Sequence, residues 1–214
     1  MRWNSRVPMV LLLLWVVHSL ATAQQPPAKD LAATRGEPAS PPAQTISDDA
    51  AQLRFALKPG WNVARKDREI STFHLDARTA PRKAELRAVA NLAFNPFPLS
   101  TFSSAFFYLS VTPRTAATEC TAQTTVAPEK PLRPETVGGI AFSRGLDEHG
   151  RICTEARDVT YTAMHKGKCV RFDLAVNSFC GGEVSGVRDM TDLELASVFR
   201  RLEEIVETVQ FTSQ

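Results

Sequence analysis

The chain has 214 residues, 43% hydrophobic and 22% charged, with 25 basic and 23 acidic side chains and a formal charge of +2. That near balance, with no long run of like charge, excludes an electrostatic footing for nucleic acid or for an anionic membrane face. The hydrophobic share is ample for a globular core and too low for a chain built of membrane spans.

Arg2 and Arg6 precede the apolar run Val7–Leu20, and Ala21-Thr22-Ala23 closes it with small residues. A charged start, an apolar core and a cleavage site in that order predict a secretory signal over residues 1–23. The run is too short to span a bilayer permanently, so no transmembrane segment is expected after cleavage. Both arginines leave with the signal, and the mature chain is expected to be neutral. No cysteine stands at the junction for lipid attachment. The expected compartment is periplasmic or extracellular, where thiols oxidise.

Residues 24–49 carry Pro26, Pro27, Pro38, Pro41 and Pro42 among Ala, Gln, Ser and Thr. Such a composition buries too little apolar surface to offset chain entropy and predicts a disordered linker. Residues 50–214 then form a single domain of ordinary size.

Within it, residues 52–57 alternate in polarity and stop at Pro59-Gly60, a first strand and turn followed by Trp61. Glu69–Leu75 is a second strand candidate. Leu86, Ala88, Ala90, Leu92 and Phe94 keep a two-residue period and favour a strand over a helix. Ala105–Val111 is apolar on both parities, as a centrally placed strand requires. Thr112-Pro113 is expected to open a short helix running to about Thr124. Val126–Glu135 reads as a proline-rich loop, Val137–Arg144 as a strand, and Asp147–Gly150 as a turn.

A two-residue turn at Lys166-Gly167 sets Ala163 against Val170, Tyr161 against Phe172 and Val159 against Leu174 on one face. Thr162 then faces Arg171 and Thr160 faces Asp173 on the other. A shift of one residue would scramble the apolar face, so pattern and register support each other. Extended, the register brings Cys153 opposite Cys180. A capping box at Thr191 and Glu194 opens a final helix with Leu195, Val198, Phe199, Leu202, Ile205, Val206 and Val209 on one stripe. Val209-Gln210-Phe211 returns to a sheet edge. The expected class is α+β, an antiparallel sheet of about six to eight strands flanked by helices.

Three places, Phe55–Trp61, the hairpin Tyr161–Phe172 and the end of the last helix with Val209-Gln210-Phe211, resemble the Mog1/PsbP-like sandwich, which includes secreted bacterial domains. The resemblance implies a non-catalytic binding or assembly role and no carried-over catalytic residue; separately, no cofactor is expected.

The four cysteines of an exported chain point to two disulfides. The hairpin register selects Cys153–Cys180, which leaves Cys120–Cys169. Zinc is the rival, but no C-x-x-C pair occurs. His74 falls in a strand and His149 and His165 in turns; no metalloprotease, nucleophile-elbow or phosphate-loop motif is present. A Cys169/His165 pair is conceivable on paper.

Phe94-Asn95-Pro96-Phe97-Pro98-Leu99-Ser100-Thr101-Phe102 puts unusual apolar area into a connection, where it covers the core or meets a partner. The candidate contact surface is Phe94, Phe97, Leu99 and Phe102 with Trp61. Its partner would be a protein or a small hydrophobic ligand. The alternatives are a secreted hydrolase with a scattered site, and a self-associating envelope component.

Overall fold

Alternating apolar segments and one amphipathic helix dictate the layout. The structure, a computed structural model, describes residues 40–66, 68–70, 78–124, 133–181 and 186–212. The expected signal and the linker as far as residue 39 lie outside them, as does most of the Glu69–Leu75 strand candidate.

Strands β1 (Gln44–Asp48) and β2 (Leu53–Leu57) form a hairpin, and β10 (Gln210–Phe211) pairs with the other side of β2. The seven-stranded antiparallel sheet contains β3 (Trp61–Ala64), β4 (Glu85–Leu92), β5 (Phe102–Pro113), β6 (Arg133–Val137), β7 (Ile140–Arg151), β8 (Thr154–His165) and β9 (Lys168–Phe179). Its spatial order is β3-β4-β5-β9-β8-β7-β6. Two helices are described, α1 (Ala117–Thr121) and α2 (Asp192–Glu207). The class is α+β, a large antiparallel sheet flanked by helices.

Strand alternation sends residues to opposite faces. One face of the large sheet packs against α2 and the small sheet in a single core holding Phe55, Phe107, Phe142, Phe172, Val198 and Leu202. The rings of Phe55, Phe107, Phe172 and Phe142 meet in sequence at 5.1, 5.7 and 5.3 Å across β2, β5, β9 and β7. The other face has a small apolar cluster around Phe106, Tyr108 and Ala175. Beside it lies a buried polar layer with Asp158, Thr160, Thr162, Arg171 and Asp173.

The β8–β9 register is as expected, Tyr161 opposite Phe172 and Ala163 opposite Val170. The disulfides are Cys153–Cys180 and Cys120–Cys169, and no described cysteine is free. The capping box at Thr191 and Glu194 is formed.

Five expectations change. Residues 44–48 are strand β1, not linker: Ile46 and Asp48 alternate inward, and pairing with β2 supplies the apolar contact that composition lacked. The helix is shorter than expected. β5 continues through Pro113 opposite Lys168, beyond the end of β4, and α1 begins only at Ala117. The expected loop ends early, because β6 starts at Arg133 and carries Pro134 on an edge strand, where proline is tolerated. Gly138 and Gly139, both at positive φ, divide the expected Val137–Arg144 strand into a hairpin. Asp147–Gly150 is not a turn but part of β7; the reversal comes at Ile152-Cys153. The three-stranded sheet is an addition to the single sheet expected.

Candidate functional site

The connection between β4 and β5 is held at both ends. Phe97 N–H donates to Asn95 Oδ1 at 2.8 Å, and Ser100 N–H and Oγ both donate to Phe97 O at 2.9 Å. At the base, Thr101 N–H donates to Arg188 O at 2.9 Å and Phe179 N–H donates to Thr101 O at 2.8 Å. Met190 N–H donates to Thr101 Oγ1 at 3.1 Å. With Pro96 and Pro98 restricting φ, little freedom remains in this segment.

The expected surface divides. Trp61 and Phe102 are buried in the core and cannot touch a partner, and Phe97 packs partly against that core. Trp61 and Phe102 each open a strand whose inward parity claims them. Phe94 and Leu99 do project, at 45% and 75% exposure. The Phe94 ring lies against Gly60, where a Cβ would stand 3.0 Å from its Cε1, and the Arg201 guanidinium is 5.9 Å from its centroid.

Leu99 has apolar company that the sequence reading missed. Ile152 is 97%, Leu193 84% and Phe179 54% exposed. A continuous chain of links joins these residues. Ile152 precedes Cys153, which is bonded to Cys180 beside Phe179. Phe179 N–H reaches Thr101 O, Thr101 N–H reaches Arg188 O, and the Arg188 guanidinium grips Glu194 beside Leu193. Four exposed apolar side chains therefore mark one end of the fold. The hairpin register, which brings Cys153 to Cys180, already implied that Ile152 and Phe179 lie near each other.

Two polar constellations lie elsewhere. A groove of about 480 Å³ runs between β6, β7 and α2, lined by Glu135, Val137, Arg144, Tyr161, Glu203 and Glu207 among others. Arg144 Nε donates to the Tyr161 hydroxyl at 3.0 Å and Nη2 to Glu203 at 3.2 Å. Burial disfavours the Arg144 charge, but Tyr161 and Glu203 outweigh it and raise its pKa. Burial raises the Tyr161 pKa despite the opposing pull of Arg144. The network ties β7 and β8 to α2.

On the opposite face, the β7–β8 pairing sets Asp147 directly across from Asp158, with His149 two residues along. His149 is thus on a strand, not in a turn. Its Nδ1 is 3.5 Å from Asp147 Oδ2 and 3.4 Å from Asp158 Oδ2. Arg78 takes both Asp147 oxygens, at 2.9 and 2.6 Å. Arg78, Asp147, His149 and Asp158 thus form one ionisable quartet. The one nitrogen and two oxygens, all within 4.8 Å, are also of the types that ligate divalent transition metals. Sequence spacing showed no carboxylate pair because the partners sit on different strands.

His165 ends β8, its ring 4.6 Å from that of Phe211. Burial, then the nearby Lys166 charge, lowers its pKa. Cys169 is bonded to Cys120, which removes the thiol that a Cys169/His165 pair would need. His74 lies outside the described residues.

No family model matches the chain, and no curated protein matches it. Among solved structures it is similar to a protein of Bacteroides thetaiotaomicron VPI-5482, at TM-score 0.45 and 8% identity over 79% of this chain and 48% of that one. The chain thus spans about half the length of that structure. It is also similar to cyanobacterial PsbP (CyanoP) from Synechocystis sp. PCC 6803, at TM-score 0.44 and 11% identity, covering 84% and 98% of the two chains. A third is LpqN, involved in cell envelope biogenesis of Mycobacterium tuberculosis, at TM-score 0.39 and 9% identity over 80% and 92%. A PsbP is therefore among the structures similar to this chain, alongside the resemblance drawn from residues 55–61, 161–172 and 209–211.

Proposed function

We propose that the chain is an exported, non-enzymatic binding or assembly domain that meets a protein partner through its apolar end. The observation that carries this reading is the exposure of Leu99 and Ile152 on two connections, Phe179 at the end of β9 and Leu193 in the first turn of α2, joined by backbone hydrogen bonds, a disulfide and the Arg188–Glu194 pair. An immobilised apolar surface loses little conformational entropy on association. Four projecting side chains on separate elements suit a protein surface better than a small ligand, which needs a concave site. Two disulfides support folding in an oxidising compartment.

The test compares the full chain with its Leu99→Ser variant in quantitative capture from envelope extract, with melting curves for both. A defined protein retained by the parent and depleted at least about ten-fold with the variant, at equal melting temperature, supports the reading, since one buried contact of this size is worth that factor. Equal capture by both chains refutes it.

A further inference from the structure

The two disulfides have different surroundings. Cys120 on α1 and Cys169 on β9 are both buried. Cys153 is exposed and Cys180 half-buried, at the open end of the β8–β9 hairpin. Cys153 also has φ of 64°, a left-handed backbone that is costly for any residue carrying a Cβ. Exposure and strain are the properties that distinguish exchangeable disulfides from structural ones.

We propose that Cys153–Cys180 is a thiol–disulfide exchange site for an external dithiol, whereas Cys120–Cys169 is a permanent staple. A thiolate of the dithiol attacks Sγ of Cys153, the more exposed partner. The Sγ–Sγ bond breaks, and Cys180 leaves as a thiolate that takes up a proton. The second sulfur of the dithiol then attacks the mixed disulfide and releases Cys153 as a thiol. The external dithiol ends as a disulfide, and two electrons and two protons pass to the cysteine pair.

The site's position gives the exchange a consequence, which rests on the contact reading above. Ile152 and Phe179 immediately precede the two cysteines. Beyond Cys180, Gly181 lies against Asp189, where a Cβ would stand 2.8 Å from Oδ1. The adjacent Arg188 carbonyl anchors Thr101, two residues after Leu99. Reduction removes the covalent tie between the Ile152 turn and the end of β9 and leaves only the strand pairing from Thr154–Phe179 onward, so it weakens the apolar end while the core stays closed.

The test treats the full chain with graded dithiothreitol, traps thiols with N-ethylmaleimide and maps the labels by peptide mass. Cys153 and Cys180 are expected to label at least about ten-fold faster than Cys120 and Cys169, because a buried bond reacts only through larger openings of the fold. Near-UV circular dichroism should hold its folded signal when two thiols are labelled. Labelling of all four at one rate, or of Cys120 and Cys169 first, overturns the exchange site. In a second arm, capture by the selectively reduced chain and by a Cys153→Ser/Cys180→Ser variant should fall relative to the oxidised parent. Undiminished capture overturns the regulatory consequence. If Leu99→Ser also captures like the parent, the contact reading has failed instead, and the labelling rates still decide the exchange site.

Discussion

Arg171 and Asp173 face the polar side of the large sheet, both 0% exposed at the side chain, with Arg171 Nη2 2.8 Å from Asp173 Oδ1. Thr160 donates to Asp173 at 3.0 Å, and Arg171 Nη2 donates to Thr79 at 2.8 Å. Arg171 Nη1 is buried with no hydrogen-bond partner among the described residues. Such a pair is costly to desolvate, and removing one member is worse, since it leaves an uncompensated charge in the interior. Asp173→Ala is therefore expected to lose about 3–5 kcal/mol in denaturant unfolding. An Arg171→Met/Asp173→Leu double substitution should lose less, because it strands no charge. Opposite parity to Tyr161 and Phe172 marked both residues as belonging to the second face. Nothing local announced that this face is covered, because the cover includes α1 and the Thr79 segment, distant in the chain.

At the scale of elements, hairpin β8–β9 and helix α2 were the most legible, because each is specified by residues within one short stretch. The hairpin needs a tight turn and an alternating face; the helix needs a cap and a stripe. The cap also has a pH signature. The Arg188 hydrogen bond first, and the Thr191 backbone second, hold the Glu194 carboxyl down to about 2 from an ordinary 4.5. A depressed carboxylate stabilises the fold fully above its unfolded pKa and loses that contribution as pH falls through the folded one. Melting temperature followed from pH 4.5 down to about 2 should fall less steeply for Glu194→Gln than for the parent, with the curves offset but parallel above pH 6. Identical slopes in the acid window would show that the cap carries no linkage. β6 and β1 were the least legible elements. Each pairs as an edge or hairpin arm whose partner supplies what its own composition lacks, and Pro134 and the proline-rich approach to β1 hid them.

For the molecule as a whole, the two disulfides divide the work of stabilisation. Cys120–Cys169 spans 49 residues and joins α1 to the middle strand of the large sheet. Its removal as Cys120→Ser/Cys169→Ser should cost about 4 kcal/mol by loop-closure entropy, plus the loss of two buried side chains. Chemical denaturation with Cys153–Cys180 kept intact measures it. A loss under about 1 kcal/mol would mean that α1 is held by its other contacts. The polar groove beside α2 and the Arg78–Asp147–His149–Asp158 quartet belong to this scale too, since each joins elements far apart in the chain.

The sequence by itself determined the α+β class, the β8–β9 register, both disulfides and the closing helix. Those features depend on periodicity, turn chemistry and caps, all short-range quantities. The tertiary structure alone decided which members of the Phe94–Phe102 segment face solvent. A phenylalanine's fate depends on whether its strand parity points at a core built from other strands, and that sent Phe102 and Trp61 inward while Leu99 stayed out. It also decided that Leu99 shares its end of the fold with Ile152, Phe179 and Leu193, residues brought together only when β5, β9 and the approach to α2 close on one another.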